Sequence, residues 1–151
     1  MGKKEEGKIS EKSVRGKKSR AAGQRFEVKV RQNLEEIGWI VSKWMNTVDY
    51  DREGKTGKLV SAKRVYNPFM KAMTIGTGFP DFVCFKRNSD GNYEVIGLEV
   101  KSNGYLDKIE KGMCLWLLKN KIFSRILIAK KGDKRGEIEY IDFEEKYEKK
   151  K

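Results

Sequence analysis

Two apolar segments joined by an Asp-Gly turn constrain the fold of this chain more than any other feature. The first, FPDFVCF, occupies residues 79–85, and the second, YEVIGLEVKS, occupies residues 93–102. Both have the length and the β-branched or aromatic content of strands. The pair Asp90-Gly91 between them is a strong signal for a hairpin turn. The two segments are therefore predicted to be neighbouring antiparallel strands.

Three charged residues interrupt these apolar segments. A symmetric hairpin places Asp81 opposite Glu99, with Cβ atoms about 5 Å apart. Side chains alternate along a strand, so Glu99 and Lys101 share one face of the sheet. Carboxylates this close repel each other unless a cation neutralises them. We therefore expect Asp81 and Glu99 to bind a metal ion, with a solvated salt bridge to Lys101 as the structural alternative.

The absence of histidine narrows the chemistry of this site. It excludes Ser-His-Asp and Cys-His nucleophile systems and His-bearing zinc sites. An all-oxygen ligand set, which the backbone carbonyl of Val100 and waters can complete, favours Mg²⁺ or Mn²⁺. Such an ion activates water and stabilises charge on a phosphate, and Lys101 can position the water or the phosphorus. These residues predict phosphodiester hydrolysis without histidine.

The net charge suggests the partner. The chain has 34 Lys and Arg residues against 22 Asp and Glu, a formal charge of +12, which attracts polyanions and nucleic acid first. There is no apolar run long enough for a membrane span and no signal-peptide pattern, so we expect a cytoplasmic protein without a membrane partner. Cys84 and Cys114 lie in apolar segments without metal-ligand spacing, which predicts reduced core residues.

Composition divides the chain into three parts. Residues 1–18 are predicted to be a basic flexible arm, residues 19–143 a single domain, and residues 144–151 a charged, frayed tail. A chain of 151 residues has room for one hydrophobic core but not for two.

Helical periodicity predicts two helices. The first begins near Ser19 and ends near Gly38, and the second spans residues 105–120. Glu27 lies at the margin of the apolar stripe of the first helix. The residues expected on the buried faces of these helices are Phe26, Val30, Leu34 and Ile37 in the first and Leu106, Ile109, Met113 and Leu117 in the second.

The predicted order of elements is helix, strand, insert, strand, strand, helix, strand, strand, an α/β arrangement. The insert, residues 45–76, is expected to be a hairpin or a long loop, and its cations and rings suit phosphates and bases. A surface hairpin whose rings only cover the core is an equally good interpretation. With Arg25 of the first helix, the residues predicted to contact nucleic acid are Lys58, Lys63, Arg64, Tyr66 and Lys71.

The segments GFPDF and LEVKS resemble the motif of the PD-(D/E)XK nuclease superfamily. The upstream segment GQRFEVKVRQNLEEIGWIVSKW is similar to the opening of archaeal Holliday junction resolvases, and virus-type replication-repair nucleases share the same arrangement. The resemblance implies a restriction-endonuclease-like core with a central mixed β-sheet flanked by helices.

The same resemblance implies roles for four residues. Glu27 would supply the first acidic group, Asp81 and Glu99 would bind metal, and Lys101 would be the catalytic lysine of an Mg²⁺-dependent deoxyribonuclease in DNA repair or recombination. Many relatives carry a glutamine in the helix after the lysine, where this chain has Glu110.

The resemblance also implies a substrate. Branched DNA such as a Holliday junction is the expected substrate, and its symmetry suits a homodimer with two active sites. Two alternatives stay open at this point. One is a non-catalytic nucleic-acid-binding module on the same fold, and the other is a nuclease that acts on single-stranded DNA or RNA.

Overall fold

The computed structural model describes residues 11–50, 57–62, 64–67, 71–75 and 78–148. The elements follow the predicted order, and a third helix ends the series. In chain order they are α1 (Glu11–Glu36), β1 (Ile40–Lys43), β2 (Asn46–Tyr50), β3 (Gly57–Ser61), β4 (Arg64–Asn67), β5 (Ala72–Ile75), β6 (Phe82–Arg87), β7 (Tyr93–Val100), α2 (Lys108–Lys119), β8 (Arg125–Lys131), β9 (Ile138–Asp142) and α3 (Phe143–Tyr147).

A five-stranded mixed sheet forms the centre of the domain, in the order β1-β6-β7-β8-β9. Strands β7 and β8 run parallel, and the other neighbouring pairs run antiparallel. A parallel pair needs a long crossover connection, and α2 lies in the connection from β7 to β8. The symmetric hairpin that places Asp81 opposite Glu99 also requires Phe85 to face Val95, and these two residues pair, which confirms the predicted register.

Helix α1 covers one face of the sheet. Its residues Phe26, Val30 and Leu34 pack in one buried cluster with Ile96 and Leu98 of β7. Full burial of each such side chain stabilises the fold by about 1.5 to 3 kcal/mol. The three helical positions recur at the spacing that the sequence predicted for this face.

Helix α2 lies against the opposite face. Cys114 and Leu117 are buried there in a second cluster that includes Ile126 and Ile128 of β8. Both cysteines of the chain are free and buried, which confirms their prediction as reduced core residues. The five-stranded sheet is thus flanked by helices on both faces.

The predicted start of the first helix is wrong. Helix α1 begins at Glu11 rather than near Ser19, so residues 11–18 of the predicted flexible arm are helical. Most of these residues are Glu, Lys and Arg, whose high helix propensity extends a helix without burial. Although α1 has 26 residues, neither it nor another helix in the described ranges is apolar enough over a sufficient length to cross a membrane.

Two residues predicted on buried helix faces are exposed. Ile37 follows the last residue of α1 and is 54 % exposed, and Ile109, in the first turn of α2, is 68 % exposed. Periodicity indicates the direction of a side chain from the helix axis, but it does not indicate how far the helix overlaps the sheet. Burial in α2 begins one turn later, at Cys114.

The predicted frayed tail is also wrong as far as Tyr147. Helix α3 begins with Phe143, which is fully buried, and the side chain of Asp142 accepts a hydrogen bond from the amide of Glu144 at 3.0 Å. The hydroxyl of Tyr147 accepts a hydrogen bond from the amide of Leu106 at 3.3 Å. Two aromatic rings therefore hold the short helix onto the domain.

The insert is built as two hairpins. Strands β2 and β3 pair with each other, as do β4 and β5, and each pair is a separate antiparallel sheet. Val48 of β2 is 5 % exposed and packs in the same cluster as α2. The predicted hairpin or long loop is therefore, in its described residues, a pair of hairpins whose first strand reaches the core.

Candidate active site

The candidate site lies at one end of the central sheet, where β6 begins and where β7 and β8 end. We call this the site end. The register that pairs Phe82 with Leu98 continues to Asp81 and Glu99, so the structure brings together the two carboxylates that the hairpin predicted. Strand alternation directs Glu99 to the α2 face of the sheet, because Leu98 belongs to the cluster on the α1 face.

Hydrogen bonds from two neighbouring strands hold Asp81. Its side-chain Oδ2 accepts from the amide of Val100 at 2.8 Å. Its backbone carbonyl accepts from the amide of Trp44, just after β1, at 3.0 Å. The Asp81 carboxylate is half-buried. The sequence predicted that Val100 would offer its carbonyl to the metal. In the structure its amide orients the Asp81 carboxylate.

Glu99 is the most unusual residue of the site. It is 6 % exposed, and it is the one charged residue among the buried side chains of the described chain. Its Oε2 has no hydrogen-bond partner within those residues. Burial, then the charge of Asp81 and a hydrogen bond with it, raise the pKa of Glu99 to about 10. A carboxyl group in this position is neutral at pH 7 unless a cation compensates its charge.

Lys101 reaches the site beside a carboxylate that the sequence left without a role. Its Nζ lies 2.7 Å from Oε2 of Glu110 on α2. Burial by itself would lower the pKa of Lys101, but the hydrogen bond and the charge of Glu110 outweigh burial and raise it. Lys101 is therefore a protonated cation, and its closest carboxylate is Glu110 rather than the predicted Glu99 or Asp81.

The start of α2 fixes the position of Glu110. Its amide donates to Oδ1 of Asp107 at 2.8 Å, and its Oε1 accepts from the amide of Asp107 at 3.1 Å. This reciprocal capping box satisfies two amides at the helix N-terminus. Because Oε1 caps the helix, Oε2 is left to hold Lys101. The segment LDKIE carries the capping signature, but the sequence does not indicate its contact with Lys101.

Glu27 approaches the site from α1. It is half-buried, and burial, followed by the charge of Asp81, raises its pKa, while Lys43 at the end of β1 opposes the rise. The charge of Asp81 is thus close enough to affect the pKa of Glu27. Lys43 was not predicted, and nothing in its local sequence distinguishes it from other strand lysines.

The side chains of the site have some of the ligand atoms that a metal ion requires. Within the ranges that the structure describes, no three carboxylate or thiol side chains are grouped closely enough to hold a metal ion as they stand. Two features nevertheless fit a hard cation: the unpartnered Oε2 of Glu99 and the adjacent Asp81 carboxylate. Both offer oxygen, as Mg²⁺ and Mn²⁺ require. The structure therefore offers two carboxylate ligands for such a cation, and the carboxylate of Glu27 lies near them.

The residues predicted to contact nucleic acid are dispersed. Lys58 on β3, Lys71 before β5 and Arg25 on α1 are exposed. Arg64 and Tyr66 belong to β4, but their side chains lie outside what the structure describes, as does all of Lys63. Their prediction as nucleic-acid contacts therefore stays a prediction.

Comparison with protein-family models, with curated proteins and with solved structures gives no match for this chain.

Proposed function

We propose that this protein is a divalent-metal-dependent nuclease with a restriction-endonuclease-like core, which hydrolyses phosphodiester bonds of DNA. The observation that carries the proposal is Glu99, a buried carboxyl group with an unpartnered oxygen against a second carboxylate. A buried polar atom without a partner costs about 1 to 3 kcal/mol. A cation bound to Oε2 of Glu99 during function would remove this cost, and it would explain why a buried carboxyl group lies next to Asp81 and Lys101.

Each side chain has a task in this reaction. Asp81 and Glu99 would hold Mg²⁺ or Mn²⁺, and Glu27 would provide a further oxygen from α1. The ion supplies Lewis-acid stabilisation of charge on the phosphate. Lys101, kept protonated by Glu110, offers a hydrogen-bond donor and a positive charge toward the attacked phosphate. The amide of Val100 holds the Asp81 carboxylate in one orientation.

The mixed five-stranded sheet with a helix on each face supports the same proposal. This arrangement agrees with the central mixed β-sheet flanked by helices that the GFPDF and LEVKS resemblance implies. Branched DNA as the preferred substrate, a homodimeric state and a place in repair or recombination belong to the proposal through that resemblance alone.

The test is cleavage of labelled junctions, flaps, linear duplex, single-stranded DNA and RNA, with Mg²⁺, with Mn²⁺ and with EDTA. We expect wild type to cut DNA in the presence of metal and to lose activity in EDTA. Asp81→Asn and Glu99→Gln should be inactive. The matched control is Glu36→Gln, which removes an exposed carboxylate at the end of α1 and should cut as wild type does.

The cleavage assay and a metal titration separate this proposal from its alternatives. If wild type cuts no substrate, the protein is not this nuclease. Preferential cleavage of RNA would replace the substrate class and keep the site. Calorimetric titration with Mn²⁺ separates the non-catalytic alternative, because a binding module need show no heat that disappears in Asp81→Asn.

A further inference from the structure

A cavity of about 440 Å³ opens between α1 and the turn that joins β8 to β9. Four of the residues around it are cations, and two are carboxylates, so its formal charge is positive. The cations, which define what we call the basic cleft, are Lys29, Lys131, Lys134 and Arg135. None of these four residues was predicted as a contact for nucleic acid.

The basic cleft lies at the site end of the sheet. Strands β7 and β8 are parallel, with Val100 opposite Ala129, so both strands finish at the same end. The amide of Lys131 donates to the carbonyl of Ser102 at 3.1 Å, just beyond Lys101. The Lys131 edge of the cleft therefore borders Ser102, three residues beyond Glu99 along the chain.

The wall of the cleft formed by the β8–β9 turn is internally braced. Oε2 of Glu137 accepts from the amide of Lys134 at 3.1 Å, and the backbone carbonyl of Glu137 accepts from Gly132 at 2.8 Å. This carboxylate is occupied in holding the turn. The side chains of Lys134 and Arg135, by contrast, are exposed to solvent.

Helix α1 forms the other wall. The Lys131 ammonium lies 5.7 Å from the ring centroid of Phe26, which brings it against α1. Lys29, Arg25 and Lys18 are exposed, and on a helix their spacing places them on one side. We call these three the α1 stripe. At 1.5 Å per residue, the stripe extends about 16 Å from Lys29.

We propose that the basic cleft, at the site end of the sheet, and the α1 stripe bind the phosphate backbone of a nucleic acid strand. Exposed Lys and Arg side chains along a groove are the usual means of backbone recognition, and the planar guanidinium of Arg135 suits a phosphate's paired oxygens. The biological role of this binding rests on the proposed nuclease function, but binding can be measured separately from cleavage.

The number of cations predicts a measurable salt dependence. The basic cleft and the α1 stripe together hold six different cations, with Lys29 common to both. If all six contact phosphates of a duplex, the logarithm of affinity should fall with the logarithm of salt concentration with a slope of about −5. Each contact removed should reduce this slope by about one.

The experiment is fluorescence anisotropy of labelled duplex DNA, single-stranded DNA and RNA in EDTA, with the full chain, over a series of salt concentrations. The variant Lys134→Gln/Arg135→Gln should bind about tenfold more weakly at moderate salt and lose about two units of slope. The matched control is Arg87→Gln/Lys119→Gln, which removes two exposed cations at the opposite end of the sheet and should bind like wild type.

A second variant tests the cleft by gain of affinity. Asp133→Asn removes an exposed carboxylate from the cleft lining and should bind a few-fold more tightly, with no loss of a cation. A variant that fails to fold cannot imitate this result. Polyglutamate serves as a competitor that carries negative charge without phosphate, and it should compete poorly.

Several results would overturn the inference. They are absence of binding by wild type, unchanged affinity and slope in Lys134→Gln/Arg135→Gln, an equal loss in the control, no gain in Asp133→Asn, or equal competition by polyglutamate. The two proposals fail separately. If the cleft variants lose binding but wild type never cuts, only the nuclease proposal fails, whereas cleavage with unchanged binding in the cleft variants refutes only the cleft.

Discussion

Two clusters of charge lie at the same end of the sheet and differ in burial. In the candidate active site, Glu99 is 6 % exposed, whereas Lys134 and Arg135 of the basic cleft lie in solvent. Burial makes the charged form of a side chain costly, so Glu99 needs a cation in order to ionise near neutral pH. The cations of the basic cleft are exposed to water and do not bear this cost. The buried cluster therefore suits metal-dependent chemistry, and the exposed cluster suits steady attraction of an anion.

The largest expected effect is on the acidic side. Asp81→Asn and Glu99→Gln should each reduce metal-dependent cleavage by more than about a hundredfold, since even outer-shell partners of a metal are worth 10- to 100-fold. Affinity for DNA in EDTA should rise slightly in Asp81→Asn, which removes a negative charge, and should stay unchanged in Glu99→Gln, because Glu99 is already neutral without metal. Cleavage rates and anisotropy on the same preparations check both statements. Equal cleavage by wild type and Asp81→Asn would contradict the site assignment.

The second prediction tests whether the two clusters act separately. In steady-state cleavage, Lys134→Gln/Arg135→Gln should raise KM about tenfold and leave kcat near that of wild type, because lost backbone contacts weaken ground-state and transition-state binding alike. The acidic variants should instead lower kcat. A fall in kcat with unchanged KM in the cleft variant would show that its cations belong to the chemistry rather than to binding.

The third prediction concerns pH. The ordinary pKa of Glu99 is 4.5, and in the fold it is raised to about 10. Between these values the metal-free folded protein holds a proton that the unfolded chain has released. The stabilisation from that proton is complete below pH 4.5 and is lost as pH rises toward 10. The free energy of unfolding should fall by up to about 1.4 kcal/mol per pH unit.

Urea unfolding in EDTA at several pH values inside that window measures this fall. Glu99→Gln should remove most of the pH dependence, since the amide does not titrate. Added Mn²⁺ should stabilise wild type more as pH rises, because the metal competes with the proton. Equal pH dependence in wild type and Glu99→Gln would refute the buried, protonated state of this carboxyl group.

A smaller effect is expected at Glu110. Glutamine can still complete the capping box but cannot form the ion pair with Lys101, so Glu110→Gln should keep the thermal stability of wild type and lower the pKa of Lys101. Glu110→Ala loses both contacts and should cost about 1 kcal/mol. Thermal unfolding of the two variants, with the pH profile of cleavage, separates capping from charge. Equal destabilisation by both would mean that the ion pair dominates.

The smallest effect is expected in the insert. Lys58 of β3 pairs across the hairpin with Asp49 of β2, and an opposite charge at that position offsets its attraction for phosphate. Lys58→Gln should therefore weaken DNA binding by less than about threefold, well below the loss in the cleft variant. Anisotropy at the same salt concentrations provides the comparison. A tenfold loss of DNA affinity in Lys58→Gln would instead mean that the insert is part of the main DNA-binding surface.

Local patterns predicted much of the fold and, within the candidate site, the approach of Asp81 to Glu99. The Asp-Gly turn and the alternation of β6 and β7 were enough to place Phe85 opposite Val95 and to bring Asp81 to Glu99. Helix ends were less predictable, because Glu, Lys and Arg continue a helix without burial, as they do from Glu11. The aromatic anchors of α3 were missed because a charged segment conceals them.

The sequence by itself determined the hairpin, the lack of histidine and the carboxylates Asp81 and Glu99, because these depend on residue type and on spacing within one short segment. Only the tertiary structure decided that Glu99 is buried with an unpartnered oxygen, that Glu110 holds Lys101, and that the β8–β9 turn meets α1 in a basic cleft. Those properties depend on which distant segments approach each other. Packing of the whole domain determines that proximity.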